Sequence, residues 1–322
     1  MQTPDWDRFF KSSLALIWIG HASVLVHIHG ISVLCDPIFS ERASPSQWFG
    51  PKRLRRVPFT VEQMAQAFRS RGLDLNVVCI SHNHYDHLDS TSIEDLVRLF
   101  PNTRFLVPFG LHQWMRETGA RLVEQFTWWE GKLLHSNSSV QPTSPSSPTP
   151  PARSPSARPQ QPLPPPPLPQ FRAVCVPAQH WSMRTGLDRM QSLWCGWIFE
   201  SLFEDAARNR RFYFAGDTGY ASQLFPAIGA HYGPLSLAAI PIGAYAPRWF
   251  MRPQHVDPKQ AVQVHSDVRS QRSVGIHWGT FELASEPYRE PQLQLADEVR
   301  KERLAPDSFT TVNIGEVLVV QE

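Results

Sequence analysis

No uninterrupted apolar run in the sequence approaches the ~18 residues that a membrane-spanning helix requires. The opening residues, Met1 to Lys11, mix acidic and aromatic side chains and lack the basic-then-apolar shape of a signal peptide. The chain therefore reads as an intracellular protein that is soluble or peripheral to a membrane. Cysteine is scarce: Cys35, Cys79, Cys175 and Cys195 form no Cys-x-x-Cys pair, and each lies in or at the end of an apolar run. That excludes a disulfide framework and leaves four small buried hydrophobes. Charge of one sign is also missing. The net +2 is too small to argue for nucleic acid as a partner. There is no Gly-x-Ser-x-Gly elbow, and so no sign of a serine nucleophile.

Proline and histidine are abundant instead, at 30 and 13 residues of 322. Proline concentrates between Gln141 and Gln170, "QPTSPSSPTPPARSPSARPQQPLPPPPLPQ", a density that blocks helix and sheet. This segment separates residues 1–140 from 171–322. It reads as a domain boundary or as an insertion in a surface loop, since added loop length costs little. Within it "PLPPPPLP", Pro162 to Pro169, has the composition that SH3-like or profilin-like grooves take as polyproline II.

The flanking parts alternate strand and helix signals. "LALIWIG", "SVLVHIHG" and "ISVLCD" are apolar runs broken at Gly20 and Gly30, the pattern of an antiparallel meander. Further strand-like runs are "VVCIS", "RFLVP", "RAVCVPA", "LWCGWIFE", "RFYFAGD", "LAAIPIG", "SVGIHWG" and "TTVNIGEVLVV". Thr91-Ser92-Ile93-Glu94 reads as a capping box opening a helix, and Asp257-Pro258 as the N-cap and first turn of another. Many strands interleaved with helices predict a layered α/β fold.

One nine-residue stretch, "SHNHYDHLD" from Ser81 to Asp89, places His82, His84, Asp86 and His87 in a turn just past a strand. A lone histidine in such a loop is ordinarily a hydrogen-bonded surface residue. Four ligand-grade side chains in six positions point instead to metal. Other strand-like runs end in single ligand types: His180 after "RAVCVPAQ", Asp217 closing "RFYFAGD", His277 within "SVGIHWG". A layered α/β fold brings such strand ends to one rim, and imidazole with carboxylate suits zinc.

The pattern "HNHYDH" followed by isolated His, Asp and His resembles the metallo-β-lactamase superfamily. The longer stretches "WIGHASVLV", "DPIFSERASPSQWFGPKR", "FAGDTGY", "LAAIPIGAYAPRWFM", "QHVDP" and "IHWGTF" resemble its N-acylphosphatidylethanolamine-hydrolysing phospholipase D family, from Leu14 to about Pro291. The resemblance implies an αβ/βα sandwich of two mixed β-sheets flanked by helices, forming one catalytic domain over residues 1–322 with the Pro-rich segment as an insertion. It implies two zinc ions per chain, one on His82, His84 and His180, the other on Asp86, His87 and His277, with Asp217 shared. It places Tyr85 and His255 against the substrate and counts Asp86 and His255 as catalytic. A metal-bridged hydroxide would cleave N-acylphosphatidylethanolamine to N-acylethanolamine and phosphatidic acid.

By the same resemblance the protein is peripheral on the cytosolic face of internal membranes, and a homodimer that binds bile acids is expected. Family members carry a longer arm ahead of "WIGHASVLV". For membrane contact the sequence offers the basic cluster Lys52, Arg53, Arg55 and Arg56. Trp128-Trp129 and Trp249-Phe250-Met251 read as core, acyl-cavity lining or interface. Two other readings stay open: another hydrolase of this fold, a lactonase or nuclease, and an inactive lipid-binding scaffold.

Overall fold

The structure is a computed structural model and describes residues 2–134 and 169–320. Within these residues fourteen strands form two seven-stranded sheets. The first contains β1 (Leu14–Gly20), β2 (Ser23–Ile28), β3 (Ile31–Cys35), β4 (Val77–Cys79), β5 (Arg104–Pro108), β6 (Leu122–Phe126) and β14 (Val317–Val319), in the order β14-β1-β2-β3-β4-β5-β6. The second contains β7 (Gly131–Leu134), β8 (Gln170–Val176), β9 (Gly196–Leu202), β10 (Arg210–Phe214), β11 (Leu237–Pro241), β12 (Ser273–Ile276) and β13 (Phe309–Thr310), in the order β13-β12-β11-β10-β9-β8-β7. Helices α1 (Trp6–Lys11), α2 (Val61–Arg69), α3 (Ser90–Leu99) and α4 (His112–Glu117) belong to the first half of the chain. Helices α5 (Leu224–Tyr232), α6 (Arg248–Met251), α7 (Pro258–Asp267) and α8 (Glu290–Lys301) belong to the second.

Burial on both faces explains the unbroken apolar strands. In β1, Leu14, Leu16 and Trp18 pack against Trp197, Phe199 and Phe212 of the other sheet. The intervening Ala15, Ile17 and Ile19 pack outward with Met64 and Phe68 of α2 and Ile93 and Leu96 of α3. The outer face of the second sheet is covered in the same way by Phe225, Val262, Val264 and Leu295 from α5, α7 and α8. The layers run helix, sheet, sheet, helix, as the resemblance implies. Each fully buried Leu, Ile or Phe contributes roughly 1.5–3 kcal/mol, so all three apolar layers add to the stabilising side.

The β1–β3 meander is antiparallel as expected, and the four cysteines are buried and unpaired. "TTVNIGEVLVV" is not one strand: β13 joins the second sheet and β14 the first, so the chain crosses between sheets there. The box expected at Thr91 is not formed. α3 begins at Ser90 with Asp89 at its N-cap and no side-chain cap bond, because the Asp89 carboxylate accepts from the hydroxyls of Ser40 and Ser92. Asp257 caps α7 as read, accepting from the Gln260 N–H. α5 escapes a sequence reading because Pro226 and Gly229 look like breakers. Pro226 lies in the first turn, where its N–H is not needed. At Gly229 an added Cβ would stand 2.1 Å from the Asp267 carbonyl.

Two surface readings change. Arg53 is buried, its guanidinium donating to the Ser40 and Ile38 carbonyls, so the exposed basic cluster is Lys52, Arg55 and Arg56. Trp249 and Phe250 are not core, standing 83% and 58% exposed, and Trp128 and Trp129 are also exposed. No helix among the described residues is long and apolar enough to cross a membrane.

The Pro-rich call at 141–170 lies outside the described residues except for Pro169 and Gln170, and Gln170 is already in β8, paired with Leu202. β7 and β8 are antiparallel neighbours with Leu134 opposite Phe171, so the intervening residues connect two paired strand ends. Replacing residues 141–168 by a short Gly/Ser linker should therefore leave thermal stability and metal content unchanged. A deletion product that fails to fold would contradict this.

Candidate metal centre

β4 runs parallel to β3 and β5, and β10 parallel to β11 and β12. The loops leaving these C-terminal ends meet on one rim. The loop after β4 turns tightly, with the N–H groups of His87 and Leu88 both donating to the His84 carbonyl. Strand geometry does not persist, yet His82 and His84 converge through the turn, Nε2 to Nδ1 at 2.8 Å. His180 Nε2 stands 3.3 Å from the same His84 nitrogen. His87 Nε2 lies 3.2 Å from His277 Nε2 and 3.1 Å from Asp217 Oδ2. His277 Nε2 is 3.0 Å from the other Asp217 oxygen, and His180 Nε2 is 3.9 Å from Oδ2. Asp86 Oδ2 is 3.4 Å from His87 Nε2, so all seven residues read as ligands are in one cluster, and Asp217 faces both histidine sets.

The arrangement fits metal on its own chemistry. Donors 2.0–2.2 Å from a tetrahedral centre lie about 3.3–3.6 Å from one another, close to the separations here. Outer contacts fix which nitrogen turns inward. Asp36, fully buried, accepts from His87 Nδ1 at 2.6 Å and from the Ser81 N–H at 2.7 Å. Ser81 Oγ donates to the same carboxylate and so accepts from His82 Nδ1 at 2.9 Å. His180 Nδ1 donates to the Gln254 carbonyl at 3.0 Å. The Nε2 atoms of His82 and His180 are left facing His84 Nδ1, and that of His87 faces His277 Nε2 and Asp217 Oδ2. Buried Asp217 Oδ1, His84 Nε2, His255 Nδ1 and His277 Nδ1 have no hydrogen-bond partner.

Electrostatics divides the cluster. Burial, joined by neighbouring imidazoles, holds His82 well below the ordinary histidine range; burial likewise lowers His180 and His84. Burial opposes charge on His87 and His277 too. Asp217 and Asp86 outweigh it, raising His87 well above its usual value and His277 to about 9. Asp217 stays well below the carboxylate range despite burial, held there by His277 and His87. Buried Asp217 and half-buried Asp86 stabilise positive charge here, and a cation that takes over this role displaces protons from the second histidine set.

His255 is buried beside the cluster, Nδ1 3.8 Å from Asp217 Oδ2. Tyr85 is half-buried, and its ring packs under the Arg184 guanidinium at 4.2 Å. Arg184 itself donates to the carbonyls of Asn83 and Leu88 and to Ser90 Oγ, pinning the histidine loop at three points. Sequence reasoning missed Arg184, Asp36 and His21, the last with Nε2 2.8 Å from Asp86 Oδ2. Asp36 and His21 stand inside the quoted stretches "DPIFS" and "WIGHAS". Each is a single polar residue at the edge of an apolar run, with partners 45 to 65 residues away.

A family model described as a beta-lactamase superfamily domain matches residues 32–278. The chain is 36% identical over 318 residues to N-acyl-phosphatidylethanolamine-hydrolyzing phospholipase D 1 of Caenorhabditis elegans, spanning 97% of this chain and 77% of that one. It is 28% identical over 279 residues to the mitochondrial N-acyl-phosphatidylethanolamine-hydrolyzing phospholipase D of Saccharomyces cerevisiae, spanning 86% of this chain and half of the yeast protein. A solved metallo hydrolase from the archaeon Ignicoccus hospitalis superposes with a TM-score of 0.59 over 95% of this chain and 97% of its own. At 18% identity that likeness is one of fold.

Proposed function

The chain belongs to the N-acylphosphatidylethanolamine-hydrolysing phospholipase D family of the beta-lactamase superfamily, and from that membership we propose a zinc-dependent phosphodiesterase acting on N-acylphosphatidylethanolamine. The products are N-acylethanolamine and phosphatidic acid. Metal-dependent hydrolysis follows from kinship and fold; the observation that carries the finer reading is Asp217, whose oxygens face His277 and His87 while Oδ2 also stands 3.9 Å from His180 of the other set. We read residues 1–322 as one catalytic domain, since both sheets take strands from each side of residues 135–168.

In this reading His82, His84 and His180 hold one ion, Asp86, His87 and His277 hold the second, and Asp217 serves both. Bound zinc supplies Lewis acidity, acidifying water and neutralising phosphoryl charge. Water adds to phosphorus and the N-acylethanolamine oxygen departs, taking a proton. His255 is the side chain placed to meet a phosphoryl oxygen. Burial pushes its pKa to about 4, so the imidazole is neutral near pH 7 and acts as an N–H donor, not as a stored proton. Asp86 is engaged by His21 and lies 3.4 Å from His87 Nε2, which favours a ligand's part over that of a free base. Tyr85 contributes through Arg184 and through the half of its ring left open. The gathering of seven ligand-grade side chains in one cluster weighs against an inactive scaffold.

Membrane contact draws on the same rim. The loops after β3, β8 and β11 leave it, and they carry Trp48, Phe49, Leu187, Met190, Trp249 and Phe250, all more than half exposed. Lys52, Arg55 and Arg56 flank the first pair, and each charge adds on the order of 1 kcal/mol at an anionic surface. The mouth of the centre would then face the bilayer that supplies its substrate.

Purified protein incubated with N-acylphosphatidylethanolamine should release both products, and stop when a chelator is added. His255→Ala should keep its metal and melting temperature while turnover falls about 10²–10³-fold, the loss of one hydrogen-bond donor. Cleavage of a lactone or nucleic acid in place of the lipid would sink the substrate assignment. Unchanged turnover per metal-loaded molecule would remove His255 from the reaction.

Replacing Trp48, Phe49 and Trp249 by alanine together should weaken binding to anionic vesicles about tenfold or more, without changing stability. Partitioning equal to the parent protein would mean that another face meets the membrane.

A further inference from the structure

We propose that His21 is a positioning residue for the second metal subsite, aligning Asp86 through its imidazole and His277 through its backbone carbonyl. His21 lies in the turn between β1 and β2 of the first sheet, 1% exposed and in the left-handed region at φ 52°. Its Nε2 is 2.8 Å from Asp86 Oδ2. Its carbonyl accepts the His277 N–H at 2.9 Å and Trp18 Nε1 at 2.8 Å. Its own N–H donates to Thr280 Oγ1 at 2.6 Å. The ring lies 4.0 Å from that of His277, and at 5.3 Å its other neighbours are the rings of His87 and Phe281. One residue of the first sheet thus fixes a ligand from the loop after β4 and another from the end of β12, in the second sheet.

The backbone duties do not require histidine. A left-handed position is met at least as readily by asparagine or glycine. What the imidazole adds is a bond to a carboxylate within a group of four ligand atoms, from His21, Asp86, His87 and His277, that all lie within 4.8 Å of one another. With Nε2 donating to Oδ2, Asp86 keeps one fixed orientation, the same oxygen standing 3.4 Å from His87 Nε2 and 3.7 Å from His277 Nε2. Ligating carboxylates held in this way lose about 10–100-fold in metal affinity when the outer partner is removed.

Side-chain and backbone roles separate cleanly by substitution. His21→Ala keeps the carbonyl that holds His277 and removes the imidazole, with its bond to Asp86 and its packing on the rings of His277, His87 and Phe281. His21→Gln returns an N–H near the place of Nε2. Zinc binding by chelator competition should show two classes of site in the parent protein. In His21→Ala one class should weaken about 10–100-fold while the other is unchanged, and the metal-free melting temperature should move little. His21→Gln should recover most of the lost affinity.

The proposal is overturned if both classes bind in His21→Ala as in the parent. It is also overturned if both weaken together with a loss of metal-free stability, or if glutamine restores nothing. It rests on the metal-centre reading and not on the lipid substrate. A parent protein that binds no zinc would defeat that earlier reading, a result distinct from a two-site parent matched by its variant.

Discussion

The Asp36 carboxylate is the contact on which the rest of the site depends. Wholly buried, it accepts from the Ser81 N–H, from Ser81 Oγ and from His87 Nδ1. Burial raises its pKa while those donors oppose the shift. Through Ser81 Oγ it also decides the tautomer of His82. One carboxylate thereby turns two imidazoles inward, one from each proposed subsite. Without it the buried Ser81 N–H and His87 Nδ1 would be left unpaired, at about 1–3 kcal/mol each.

Local strain gathers around the same point. His21, Asp36, Ala244 and His277 all adopt left-handed backbone conformations with φ of 52°, 40°, 61° and 65°. Such positions cost of order 1–3 kcal/mol each and persist only where the surroundings over-determine them. Here the surroundings are the inter-sheet core and a set of main-chain bonds that cross between sheets, among them His277 N–H to His21 carbonyl and Cys195 N–H to Ser81 carbonyl. The apolar strands serve the chemistry by holding two rims in register.

How much of this was legible in the sequence follows from distance along the chain. "HNHYDH" was legible because its residues are neighbours, and the layered α/β class because the strand runs are long and apolar. His180, Asp217 and His277 were weaker signals, each an ordinary loop residue until the strand ends are brought together. Asp36 and His21 gave no signal of their own, since their meaning lies in partners on other strands. Arg53 looked like part of a basic surface cluster and is instead buried beneath Phe281. The capping box at Thr91 failed because Ser92 and Asp89 were already committed to each other and to Ser40. At Arg53 and Asp89 a polar contact distant in sequence overrode a local rule.

The central claim is one centre of two subsites that share Asp217. Elemental analysis of the pure protein at metal saturation tests it most directly. The account predicts two zinc ions per chain in the parent and weakened retention of both in Asp217→Asn, because each histidine set faces that carboxylate. A single ion per chain, or a variant that loses one ion and keeps the other at parental affinity, would contradict it.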